Sequence, residues 1–173
     1  AARFNKPGFD LVSHRVIALC GDGDIMEGVG MEAASLAGHL KLSNLTWVYD
    51  SNKITIDGGT DLCFSEDVAG RFEASGWHVI TATDANDVDH LDSCMQEAFA
   101  HELPTLVIVP SRIGYGSPNK ENTSDAHGAP LGEEEIRLTK EALGCDPTKS
   151  FHVPSEVKDA MTQKAREQGA ATE

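Results

Sequence analysis
The chain has 173 residues, 40% of them hydrophobic and 6% aromatic, and carries 14 Lys and Arg against 28 Asp and Glu, a formal net charge of -14. That supplies a core for one domain, and an acidic balance without a basic block argues against a nucleic-acid partner. No apolar run has the length of a membrane-spanning helix or the features of a signal peptide, and the cysteines, at 20, 63, 94 and 145, are too widely spaced for a zinc site or redox pair.

The first element, Val16 to Cys20, is a short unbroken apolar run ending at Gly21, the pattern of a parallel strand buried on both faces. From about Asp24 to Leu40 the apolar positions Ile25, Val29, Ala33, Leu36, Ala37 and Leu40 recur at three- and four-residue steps, which predicts a helix. Leu45 to Tyr49 reads as the next strand, Glu66 to Ser75 as a short helix, Trp77 to Thr81 as a strand and Val88 to His101 as an amphipathic helix. Thr105 to Val109, between Pro104 and Pro110, is the most strand-like run of all. Ser111 to Leu131, rich in Gly, Pro, Asn and Ser, is a long connection of the kind that is functional or mobile, and surface helices are predicted at Glu133 to Leu143 and Pro154 to Gln168. Strands alternating with helices predict an α/β fold, a parallel sheet with helices on both faces.

The chemistry concentrates where the first strand becomes a helix. Gly21 and Gly23 flank Asp22, and glycine lets a ligand come up against the main chain. Asp22 lies just ahead of the predicted helix, whose free amide hydrogens and dipole attract an anion such as phosphate. A carboxylate there repels the same anion unless a hard cation lies between them, and magnesium takes one or two protein oxygens together with phosphate oxygens. The second strand delivers Asp50, Ser51 and Asn52 to the same sheet edge, where open parallel sheets bind ligands. Asn52 offers a neutral amide oxygen. Each residue alone also has a common structural use, Asp22 as a helix N-cap and Asn52 as a turn residue.

Gly21-Asp22-Gly23 followed by Asn52 resembles the thiamine diphosphate-binding motif. Glu32 to Leu40, Asp50 to Gly58, Ile113 to Ser117 and His127 to Pro130 resemble the transketolase family, with similarity from Ala1 to about Pro154. The resemblance implies that residues 1–173 are an internal part of the N-terminal diphosphate-binding domain, truncated at both ends, with the pyrimidine-binding and C-terminal domains absent. It implies thiamine diphosphate and magnesium (or calcium or manganese) as cofactors, and phosphorylated sugars as substrates in the pentose phosphate pathway or reductive pentose cycle. A homodimer is implied, located in the cytoplasm or, with a transit peptide ahead of the chain, in the plastid stroma.

Under that resemblance Asp22, Asn52 and the backbone oxygen of Ile54 hold the metal. Gly21 and Gly23 meet the diphosphate, and Ile56 contacts the thiazolium ring, a position for which a plain core role is equally open. Ile54 is expected in a loop, its carbonyl outside any ladder. His127 is expected beside the diphosphate and the sugar, and the remaining histidines are read as structural. Glu27 and Glu32 match acidic residues at the dimer interface, Glu27 being the stronger candidate and, with His127, a catalytic one; both can equally be solvated helix carboxylates. The neighbouring small residues Gly28, Ala33, Ala34, Ser35 and Gly38 leave room for a second helix to cover this one. Other readings are a related enzyme such as deoxyxylulose-phosphate or dihydroxyacetone synthase, a dinucleotide-binding domain whose glycine spacing this chain does not match, and a non-catalytic interaction module.

Overall fold
The computed structural model describes residues 3–170. Two compact units form, one within Ala1–Tyr115 and Asn119–Leu131, the other within Gly116–Pro118 and Gly132–Glu173. The first holds β1 (Val16–Gly21), α1 (Asp22–Met26), α2 (Gly28–His39), β2 (Leu45–Ser51), a small hairpin of β3 (Ile54–Thr55) and β4 (Gly58–Gly59), α3 (Val68–Ala74), β5 (His78–Thr81), α4 (Val88–Ala100) and β6 (Thr105–Pro110). The second holds α5 (Glu133–Ala142) and α6 (Ser155–Ala170). Among the described residues no helix is long and apolar enough to cross a membrane.

Four strands make one sheet in the order β1-β2-β6-β5, every pairing parallel. Side chains alternate across it. Trp47, Tyr49 and Leu106 meet Ile25, Ala34, Ala37, Phe72 and Trp77 on the face covered by α1, α2 and α3. Val107, Val109 and Ile80 meet Cys94 and Ala98 of α4 on the other. Trp47, Phe72 and Trp77 pack edge to face with ring centroids 5.2–5.6 Å apart, an arrangement that suits their quadrupoles. The indole nitrogen of Trp77 donates to the Ala34 carbonyl at 2.8 Å and ties α2 down. Helices on both faces of a parallel sheet are the expected fold class.

Two expectations change. The helix predicted from Asp24 to Leu40 is two helices, because Glu27 takes an extended conformation (φ -70°, ψ 130°) and interrupts the hydrogen-bond ladder. The break rotates the frame, so Ile25, Ala34 and Ala37 are buried while Val29, Leu36 and Leu40 of the predicted stripe are exposed. The strand β1 is an edge strand covered on one face only: Leu19 is 80% exposed, since α4, the helix of that face, packs on β5 and β6. A cleft of about 810 Å³ is left there, with Leu19, Val48, Leu91 and Met95 in its walls. The close approach expected at the small residues occurs at Gly38, where the C-terminal end of α3 comes against α2. A Cβ at Gly38 would lie 1.8 Å from the Ser75 carbonyl oxygen, at the end of α3.

In the second unit, Ser117 is buried and its hydroxyl donates to the carboxylate of Glu135. Arg137 bridges Glu134 and Glu141 at 2.6 Å each along the exposed face of α5, and α6 buries no residue.

Candidate functional site at the β1 and β2 ends
Parallel pairing sets Cys20 beside Tyr49 and Gly21 beside Asp50, so the two strands end together and the segments leaving them meet at one place. Asp22 is the first residue of α1 and is 3% exposed. The Tyr49 hydroxyl donates to its Oδ1 at 2.6 Å, and the backbone N–H groups of Asn52 and Lys53 donate to its Oδ2 at 3.2 and 2.9 Å. Among the described residues no Lys, Arg or His forms an ion pair with it. A buried carboxylate held by neutral donors is an anion without a counter-charge, and burying one is costly unless it is paired or coordinates a metal.

The loop is shaped to reach this carboxylate. Lys53 has φ 64°, the left-handed conformation that favours glycine, a strain of about 1–3 kcal/mol tolerated where surroundings enforce it. Asn52 Oδ1 accepts the Ile54 N–H at 2.9 Å, which leaves one of its two acceptor positions open. Ile54 stands in β3, paired with Gly59, and not in a loop as expected. Its carbonyl is nevertheless outside the ladder. The neighbouring Lys53 carbonyl accepts from Thr60 N–H at 3.0 Å, and in an antiparallel pair hydrogen-bonded and non-hydrogen-bonded positions alternate, so the backbone groups of Ile54 face away from β4.

Gly21 and Gly23 turn out not to be demanded by the fold. Neither has positive φ, an added Cβ at Gly23 would meet nothing within 4 Å, and one at Gly21 only Asp24 Oδ2 at 3.9 Å. Their missing side chains leave open space along the main chain beside Asp22. The helix behind them is weaker than expected, five residues in place of seventeen, so less dipole attraction is available to an anion and the single N–H groups count for more.

The environment shifts two neighbours. Burial, and then the hydrogen bond to Asp22, raises the Tyr49 phenol far above its ordinary range and keeps it a donor. Burial, and then the Asp24 and Asp50 carboxylates, pushes the Cys20 thiol up to about 11.

Other predicted residues stand apart from this cluster. Glu27 is exposed at the α1–α2 break and Glu32 is exposed on α2. Ile56 is 72% exposed beside the hairpin turn, outside the two core clusters of the sheet. His127 is exposed at the end of a turn of 3-10 helix, Ser124–Ala126. Its N–H donates to the Ser124 carbonyl, and no hydrogen bond joins it to Asp22 or Asn52 among the described residues. Tyr49 is a site residue that the sequence reading does not name; the available signal is a tyrosine beside Trp47 and Val48 in a strand destined for the core, since a buried phenol needs a partner.

Among the described residues no three His, Cys, Asp or Glu side chains gather around a metal position. A cation at Asp22 would draw on one carboxylate, the open lone pair of Asn52 and the Ile54 carbonyl. Those are hard oxygen donors, few in number, which suits magnesium with ligand oxygens completing its shell.

Residues 1–173 match the family model described as transketolase, thiamine diphosphate binding domain. The chain is 49% identical to a transketolase of Halalkalibacterium halodurans over 173 residues, covering all of this chain and 26% of that protein. It is 47% identical to a transketolase of Bacillus subtilis over 174 residues, again with 100% and 26% coverage. Among solved structures, a transketolase variant from Pichia stipitis in complex with fructose 6-phosphate superposes with a TM-score of 0.93 at 40% identity, over 99% of this chain and 25% of that one. The transketolase from Leishmania mexicana gives 0.87 at 42% identity, over 99% and 27%. The chain thus spans about a quarter of the length of the curated relatives it matches.

Proposed function
The chain belongs to the transketolase thiamine diphosphate-binding domain family, and from that premise we propose that it supplies the diphosphate and metal half of a transketolase active site. The observation that carries the reading is Asp22, a buried carboxylate with three neutral donors and no counter-charge, next to a glycine whose side-chain space is open. Asp22, Asn52 and the Ile54 carbonyl would hold magnesium, and Gly23 would present its N–H to the diphosphate. When bound, thiamine diphosphate supplies the carbanion chemistry that moves a two-carbon ketol unit from a ketose phosphate to an aldose phosphate.

The protein's share is placement. The hydrogen bonds from Tyr49, Asn52 and Lys53 orient the Asp22 carboxylate, and that support would hold it in place as a metal ligand. His127, on its exposed turn, would reach diphosphate and sugar, and Ile56 would pack its exposed side chain on the thiazolium ring. Glu27 is exposed at the break between α1 and α2 and Glu32 is exposed on α2, and a second copy of the full-length protein packed against these helices would bring them close to its own site. Phosphorylated sugars are the substrate class we assign, in a cytoplasmic or plastid pentose phosphate route. By this reading residues 1–173 form half a site, with no turnover of their own.

The test uses the full-length protein. Asp22→Ala should abolish magnesium-dependent retention of thiamine diphosphate, measured by equilibrium dialysis, and Asn52→Leu should weaken it at unchanged net charge. If both variants keep wild-type cofactor affinity, the assignment of the metal ligands is wrong.

A further inference from the structure
Arg71 reaches from α3 to the back of the helix that carries Asp22. Its Nη2 donates to the carbonyl of Ile25 at 2.8 Å, across 46 residues of sequence. Its Nη1 pairs with Glu66, and its guanidinium lies over the Phe64 ring, 5.7 Å from the centroid. Its Nε is buried with no hydrogen-bond partner among the described residues. An arginine serving only the surface keeps its head in water; this one leaves a donor unsatisfied to hold one particular carbonyl.

That carbonyl needs a partner for a reason rooted in the chain. Glu27 leaves the helical conformation, so the ladder ends with the bond from Glu27 N–H to the Asp24 carbonyl, and the Ile25 carbonyl behind it finds no backbone donor further along the helix. Ile25 is 1% exposed, which shuts water out of much of its surroundings. A cation at a helix C-terminus satisfies the orphan carbonyl and the dipole together. A helix of five residues cannot hold itself. It is fixed from outside at both ends, at Asp22 by Tyr49, Asn52 and Lys53, and at Ile25 by Arg71.

We propose that Arg71 is a positioning residue for the cofactor site: it pins the C-terminal end of α1 and so sets where Asp22 and Gly23 stand relative to the loop at Asn52. The hydrogen bonds of Arg71 go to Glu66 and the Ile25 carbonyl and not to Asp22, Gly23 or Asn52, so it acts through the Ile25 backbone. Glu66 and Phe64 in turn orient the guanidinium. The inference rests on the reading of Asp22 and Gly23 as the metal and diphosphate site.

The experiment compares wild type, Arg71→Met and Arg71→Lys in the full-length protein by two measurements. Hydrogen–deuterium exchange of the cofactor-free protein reads the clamp directly. Arg71→Met should speed exchange in residues 22–31 selectively, and Arg71→Lys, which keeps one donor for the carbonyl, should restore most of the protection. Equilibrium dialysis with magnesium and thiamine diphosphate should show affinity about tenfold weaker in Arg71→Met, at the low end of losses seen when support behind a metal ligand is removed, with rescue in Arg71→Lys. Unchanged exchange in residues 22–31, a rise spread evenly over the sheet, or no rescue by lysine overturns the proposal. Failure of the wild type to bind thiamine diphosphate overturns the site reading instead, and the exchange comparison still decides whether Arg71 clamps α1.

Discussion

Replacing Gly23 with alanine sets two effects of opposite sign against each other. In the fold alone the change is harmless: the new Cβ meets nothing within 4 Å, φ is not positive, and the position lies in α1. A helical glycine costs about 0.5–1 kcal/mol relative to alanine, so the cofactor-free protein should unfold at equal or slightly higher denaturant concentration. In the loaded site the same methyl occupies the space through which a diphosphate would approach the Gly23 N–H. Losing one hydrogen bond to a charged group is worth about 1.5–3 kcal/mol, which corresponds to about 10- to 150-fold in affinity. Urea unfolding of the cofactor-free full-length protein and equilibrium dialysis of thiamine diphosphate with magnesium measure the two arms separately. A variant that is as stable as wild type and binds the cofactor equally well would refute the reasoning, because it would show that nothing approaches the main chain at this glycine.

Contacts in the site and in the rest of the fold set four further outcomes. Tyr49→Phe removes the hydroxyl that orients Asp22 and should weaken magnesium-dependent cofactor binding by about 10- to 100-fold; a calorimetric titration giving the wild-type constant would show that the phenol only fills space. Gly38→Ala drives a Cβ into the Ser75 carbonyl oxygen, backbone against backbone, so the free energy of urea unfolding should fall by about 1–3 kcal/mol or more, as overpacking does, whereas Gly28→Ala, with open space around it, should not lower it. Among the thiols, exposed Cys63 and Cys145 should alkylate quickly at neutral pH while Cys20 and buried Cys94 lag, as mass spectrometry of labelled peptides can follow. Cys20, neutral in the folded protein until about pH 11 against 9.0 for the free thiol, also adds stability that is complete below pH 9.0 and is lost as pH rises toward 11, because over that interval the unfolded chain has released a proton the folded chain retains. Unfolding midpoints measured across that range should therefore fall less steeply in Cys20→Ala than in wild type.

The sequence by itself determined the order of the four main-sheet strands and of the helices around them, though not the β3–β4 hairpin, and it determined the cluster of Asp22 with Asn52, because these are local signals. An apolar run between turn residues reads as a strand wherever it lands, and two loops that leave adjacent parallel strands must emerge at one edge of the sheet. The long helix through Glu27 and the two-sided burial of β1 were misread for the complementary reason. Whether an amphipathic stretch runs unbroken depends on whether something distant takes up a carbonyl freed at a break, and here Arg71 does so for Ile25 from 46 residues away. Whether an apolar strand is covered depends on where α4 docks, and it docks over β5 and β6. The same holds for Tyr49, whose hydroxyl meets Asp22 across 27 residues. Periodicity reports which side chains prefer burial, but only the packed chain decides which partner each polar group finds, since hydrogen bonds join atoms that are close in space regardless of their separation in sequence.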